Sequence, residues 1–182
     1  MITLHSKSLN TWSRGFTLIE VMIAVLVLSL GLLGLAGLQA TSLKANTSAA
    51  ARGQATLLAY DIIDRMRANR DAALAGTYNN ALGTAPTSGG SNCQANAAGC
   101  DANTMAAYDL NQWKCLLGKW KTDSVCSTTL DIDKGLLPDG DGSVVVSNGN
   151  EALVSITWTE TRWDNGVRFS TQLPPLEIRT GL

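Results

Sequence analysis

The order of apolar and polar positions divides the first seventy residues into three zones. Met1 to Gly15 is mixed and polar. Val21 to Leu43 is a run of 23 residues without a charge, 16 of them apolar and the other seven Ser29, Gly31, Gly34, Gly37, Gln39, Thr41 and Ser42. As a helix rising 1.5 Å per residue, such a run spans roughly 35 Å, enough to cross a hydrocarbon core of about 30 Å. From Lys44 polar residues return, yet Ala51, Ala55, Leu58, Ile62 and Met66 recur at spacings of four, three, four and four, the stripe of an amphipathic helix. As one helix from Phe16 to Asn69 the two zones give a rod of roughly 80 Å. Its second half needs a partner for its apolar face, and a globular head is the economical one.

Past Asp71 the pattern breaks up. Residues 76–104 are rich in Gly, Ala, Asn, Thr and Ser, include Pro86 and Ser88-Gly89-Gly90-Ser91, and are predicted to be a long surface loop. A short helix is predicted over 103–121, with Met105, Asp109, Trp113, Leu116 or Leu117, and Trp120 near helical spacing and Asp101 or Asn103 as N-cap. Its two tryptophans are expected in the core. Strands follow: Ser143 to Ser147, then Leu153 to Arg162 with Val154, Ile156 and Trp158 on one face and Ser155, Thr157 and Thr159 on the other. An Asn165-Gly166 turn leads into Val167 to Leu173, Pro174-Pro175 ends that strand, and Leu176 to Arg179 adds a short edge strand. The expected fold is α+β, a long N-terminal helix packed on a small antiparallel sheet of three or four strands lying within 143–179. The segments are 1–15, 16–43, 44–70 and a head over 71–182.

Charge sharpens this division. Over its 182 residues the chain carries 14 Lys plus Arg against 15 Asp plus Glu, a balance that argues against a nucleic-acid binder held by phosphate contacts. Lys44 to Arg70 holds five basic residues against two acids, whereas Asp71 onward holds seven against twelve, so the two parts are complementary. The basic run Asp64 to Arg70 is expected to be a solvated helix end that complements the C-terminal dipole, with a filament contact to an acidic neighbour as the alternative. Before the apolar run, Lys7 and Arg14 stand without an acid, which keeps the N-terminus cytoplasmic on the positive-inside rule. A cleaved secretory signal peptide fits poorly, because the apolar run is too long and Leu38-Gln39-Ala40 is a poor cleavage site. A plain signal anchor leaves Glu20 unexplained, since an acid at mid-membrane costs roughly 2.5–3.5 kcal/mol and near a helix start still asks for a cation.

The residues around it supply the explanation. Arg14-Gly15-Phe16-Thr17-Leu18-Ile19-Glu20-Val21 resembles the class III signal of type IV prepilins and type II secretion pseudopilins. The resemblance implies cleavage between Gly15 and Phe16 by a membrane-embedded prepilin peptidase that also N-methylates Phe16, with the apolar helix retained. It further implies that Glu20 pairs with the N-terminal amine of a neighbouring subunit, which returns much of the cost of a carboxylate in lipid. The mature chain would carry a charge of −3. Unlike major pilins, the chain has no proline in this helix but Gly31, Gly34 and Gly37, where it could loosen or pack closely. Asp109 to Trp113, Leu136 to Val144, Ile156-Thr157-Trp158 and Asp64 to Arg70 look like the minor pilins of the type IV pilus modification (PilV) family, with 119–134 as an apparent insertion. The implied partners are the prepilin peptidase/N-methyltransferase, the major pilin, other minor pilins and the inner-membrane pilus assembly platform. The implied location is the bacterial inner membrane, with a periplasmic head, and then the tip or base of a pilus filament.

Cys93, Cys100, Cys115 and Cys126 all follow the apolar helix. An even count in an oxidising compartment reads as two disulfides with three possible connectivities, and Cys93–Cys100 with Cys115–Cys126 is favoured because sequence neighbours meet most easily. Zinc is disfavoured by the spacing and by the lack of histidine after His5, a lack that also removes Ser-His-Asp and Cys-His catalysis. Asp139 and Asp141, with Asp131 and Asp133 near, offer hard oxygens to calcium but lack the rest of an EF-hand, so a turn entering a strand is the favoured reading. No cofactor and no enzymatic activity are expected. The function expected is that of a minor pilin in type IV pilus assembly, twitching motility and adhesion. The alternatives are a type II secretion pseudopilin and, from another class, a tip adhesin or DNA-uptake module using 76–135.

Overall fold

The computed structural model describes residues 15–88, 92–94, 98–147, 150–164 and 167–182, with the side chains of 162–169 left aside. It separates into two compact units, Met1–Ala45 and Asn46–Leu182. The described part of the first is the start of helix α1, Leu18–Ala68, one turn shorter overall than the helix expected from Phe16 to Asn69. Every large apolar side chain from Phe16 to Leu43 is exposed, and this is the one described helix long and apolar enough to cross a membrane. Gly31, Gly34 and Gly37 face open space, so a Cβ at any of them would meet nothing in the chain.

In the second unit α1 buries Ala55, Leu58, Ala59, Ile62, Ile63 and Met66, the predicted stripe widened by its i+1 neighbours. Asn69, at φ −119° and ψ 52°, breaks the helix before a short α2, Arg70–Leu74. The stretch 76–104 is not simply a surface loop. Tyr78 is fully buried, Asn80 pairs with Val144, and Asn111 clasps Thr87 through both its N–H and C=O. This polar stretch sends a large aromatic ring, Tyr78, into the core, which composition averages conceal.

Helix α3, Ala102–Leu117, is shorter than the expected 103–121. Asp101 is its N-cap, accepting from the N–H groups of Asn103 and Thr104 and from the Thr104 hydroxyl, and these bonds hold its carboxyl below the usual range. Gly118 ends α3 in the left-handed region at φ +117°, where a side chain would be strained. Trp113 is buried and donates from Nε1 to the Leu58 carbonyl at 2.9 Å. Trp120 lies past the helix end and is only half-buried, which corrects its placement in the core.

The sheet splits in two. Strands β1 (Asp141–Val146), β2 (Glu151–Thr157) and β5 (Leu176–Gly181) form an antiparallel sheet in the order β1-β2-β5, while β3 (Thr159–Asp164) and β4 (Val167–Gln172) form a separate hairpin. The strand expected over 153–162 is therefore broken at Trp158, whose buried ring turns the corner while its carbonyl accepts from Leu173 N–H and Thr159 N–H reaches the Pro138 carbonyl. The predicted Asn165-Gly166 turn lies outside the described residues. β1 is closed at its outer edge by the chain itself: Asn80 exchanges two bonds with Val144, and the Asn79 side chain caps Val146 N–H.

Candidate processing and assembly site

The segment Gly15-Phe16-Thr17 is exposed and non-helical, and α1 begins directly after it. Thr17 sits as N-cap, its Oγ1 accepting from the N–H of Glu20 at 3.3 Å and its carbonyl accepting from Glu20 and Val21. Thr17-Leu18-Ile19-Glu20 thus has the spacing of a capping box, in which a threonine start and an acid three residues on favour helix initiation here. The consequence is local and chemical. Gly15 and Phe16 are exposed and non-helical just before the cap, and Glu20 places an exposed carboxylate in the first turn, where the helix dipole favours an anion. A Cβ added at Gly15 would meet nothing within 4 Å, so packing within the chain does not require a glycine there.

In the head Asp64, Arg67 and Arg70 of the basic run are exposed, as expected of a solvated helix end, while Arg65 is partly buried. Arg65 donates to Asp61 at 3.0 Å, Asp109 at 3.1 Å and Gln112 at 2.5 Å; burial opposes its charge, but the two carboxylates prevail and raise its pKa. Arg67 reaches Asp64 and the Thr180 hydroxyl, Arg70 the Leu182 carbonyl, and Asn69 the Tyr78 hydroxyl and the Ala102 carbonyl. Tyr78 in turn donates to Asp109 at 2.6 Å, and burial followed by that bond pushes its hydroxyl above the ordinary range. Arg65 ties α1 to α3 and the exposed Arg67 reaches β5, while both stand in the last turn of α1, where the dipole favours a cation.

The structure bonds Cys93 to Cys100 and Cys115 to Cys126, with Cα separations of 5.6 and 5.4 Å. Asp139 is exposed in a turn at φ +52°, whereas Asp141 is buried and fully engaged. Its Oδ1 accepts from Lys114 Nζ at 2.7 Å and Gly142 N–H at 2.8 Å, and its Oδ2 from Gly83 N–H at 2.7 Å and Lys119 Nζ at 3.3 Å. Burial pushes the carboxyl up, but Lys114 and the two N–H groups outweigh it and hold the pKa below its ordinary value. Lys114 is sealed as well, donating also to the carbonyls of Gly142 at 2.6 Å and Ala81 at 3.2 Å, while burial lowers its ammonium pKa against the pull of Asp141. The oxygens that calcium would use at Asp141 already serve an internal ion pair. No sequence signal joins Lys114 to Asp141, which lie 27 positions apart.

Two family models match. The prokaryotic N-terminal methylation motif covers residues 13–36, and the Type IV pilin Tt1218 model covers residues 37–111. Both support the type IV pilin family. The pilin match runs from the apolar part of α1 through most of α3 and ends before the strands, and the methylation match spans the Gly15–Phe16 junction and Glu20. A long N-terminal helix with a small antiparallel sheet is the type IV pilin α+β fold, as expected from the sequence. No curated protein and no solved structure matches the chain.

Proposed function

We propose that this pilin is a minor pilin close to the PilV group, a non-catalytic subunit that helps initiate or assemble a type IV pilus. The observation that carries the reading is the exposed Gly15–Phe16 junction followed by the capped Glu20 turn and an apolar run with no buried residue. Prepilin peptidase cleaves after Gly15 and methylates Phe16, and the head stands on the periplasmic side of the inner membrane. Extraction into the filament carries the bare apolar helix from lipid into a bundle of like helices. Glu20 then sets axial register by pairing with the N-terminal amine of a neighbouring major or minor pilin, delivered through the inner-membrane assembly platform.

Deletion of the gene in its host tests the role. Loss of surface piliation and twitching with type II secretion intact is the expected result. Intact pili with impaired secretion would assign the chain to the pseudopilins instead. Purified protein that binds a host surface or DNA would support the adhesin or uptake reading.

A further inference from the structure

Between Gly118 and Gly140 the chain makes an excursion from the end of α3 and returns to the same place. The ends are stitched together: Gly118 and Gly140 form a parallel bridge, Lys119 N–H reaches the Gly140 carbonyl at 3.0 Å, and Leu136 and Leu137 N–H reach the carbonyls of Leu116 and Leu117 at 2.8 and 3.2 Å. The contact is so close that a Cβ on Gly135 would overlap the Cα of Gly118. Between the stitches, residues 120–134 contain one π-helical turn, Val125–Thr129, and bury only Val125 and Cys126. One buried valine and one half-cystine, with Trp120, Leu130 and Ile132 only half-buried, fall short of the backbone entropy lost in ordering such a stretch. Cys126 is bonded to Cys115 on the buried face of α3, next to Lys114.

We infer that Cys115–Cys126 is a redox latch, and that residues 120–134 dock on the head only after it closes. The rest of the head does not depend on it. The face of α1, β2 and the Lys114–Asp141 pair are held by contacts outside the excursion, and Asp141 keeps the N–H groups of Gly83 and Gly142. Closing the latch removes two electrons and two protons from the two thiols. A disulfide oxidant takes them by exchange: one thiolate attacks the oxidant's disulfide to form a mixed disulfide, the second attacks the protein sulfur of that bond and expels the oxidant's thiolate, and the oxidant leaves as a dithiol. Both sulfurs are buried once docked, so the exchange precedes docking. A chain still reduced therefore has its core but not the surface made by Trp120 to Lys134, and that surface is completed where oxidants act.

Hydrogen exchange read by mass spectrometry on the full chain in detergent micelles, with and without a phosphine reductant, tests the latch. Alkylation mass confirms reduction, and Cys115→Ala/Cys126→Ala serves if the buried bond resists reductant. Opening the latch should lower protection across 120–134 by about a hundredfold on the chain-entropy scale for so short a loop, while peptides from 55–66 and 152–157 keep theirs. Cys93→Ser/Cys100→Ser should leave 120–134 unchanged. Unaltered protection of 120–134 with the bond open, or loss of protection throughout the head, would overturn the inference. Neither outcome bears on the pilin reading, which rests on the other end of the chain.

Discussion

Replacing Lys114 by methionine removes one half of the ion pair that the fold seals under α3 and β1. The ammonium is 1% exposed and Asp141 4%, so neither charge has water to fall back on. In Lys114→Met the Ala81 and Gly142 carbonyls lose their donor and Asp141 keeps two N–H groups and the more distant Lys119. Breaking a buried pair by removing one partner costs about 3–5 kcal/mol, a fall in Tm of about 10–18 °C for a head of this size. Methionine is close to lysine in length, so lost packing adds little. Thermal unfolding of the detergent-solubilised chain, followed by near-UV circular dichroism, reads it out. Adding Asp141→Asn removes the uncompensated charge, so the double variant should recover part of the loss, giving a coupling of about 1–3 kcal/mol in a double-mutant cycle. A Lys114→Met variant within about 3 °C of the parent, or a double variant equal to the sum of the singles, would refute the reasoning.

Acid should loosen the head, because Asp141 and Asp101 both have folded pKa values below the unfolded carboxylate value of about 4. The stability they contribute is full above that value and is lost as pH falls through the lower folded values; Asp141→Asn should flatten the slope of Tm against pH below about 4. Tyr78→Phe leaves Asp109 without its 2.6 Å donor and should cost about 1–2 kcal/mol by chemical denaturation. Gly135→Ala should destabilise the head or displace the excursion, since the new Cβ would overlap Gly118. Gly31→Ala, Gly34→Ala and Gly37→Ala meet nothing in the chain and should stabilise α1 by about 1 kcal/mol each in micelles; impaired piliation by these stabilised variants would place their role in the assembled filament.

The parts read correctly from sequence are those in which a local rule and the tertiary structure agree. The stripe from Ala55 to Met66 became the buried face of α1 because a helical period survives whatever packs on it. Asp101 capped α3 because a short acid followed by helix formers satisfies free N–H groups without outside help. Leu176 to Arg179 did add an edge strand, to β2 rather than to the hairpin. What escaped was non-local. Trp158 continues the alternation of β2 perfectly, and only the demands of the corner with Pro138 and Leu173 divide the strand there. Tyr78 sits in a stretch whose composition is that of a loop, and Arg65 in a run whose charge is that of a surface; each is claimed by Asp109, over thirty positions away. The Lys114–Asp141 pair has charged residues at positions that any pattern rule assigns to solvent.

The N-terminus carries the central claim, and intact and N-terminal mass spectrometry of the protein made with and without a prepilin peptidase tests it most directly. A chain beginning with N-methylated Phe16 is expected when the peptidase is present, and an uncut chain when it is absent. Cleavage near Ala40, or an N-terminus that does not change with the peptidase, would contradict the claim.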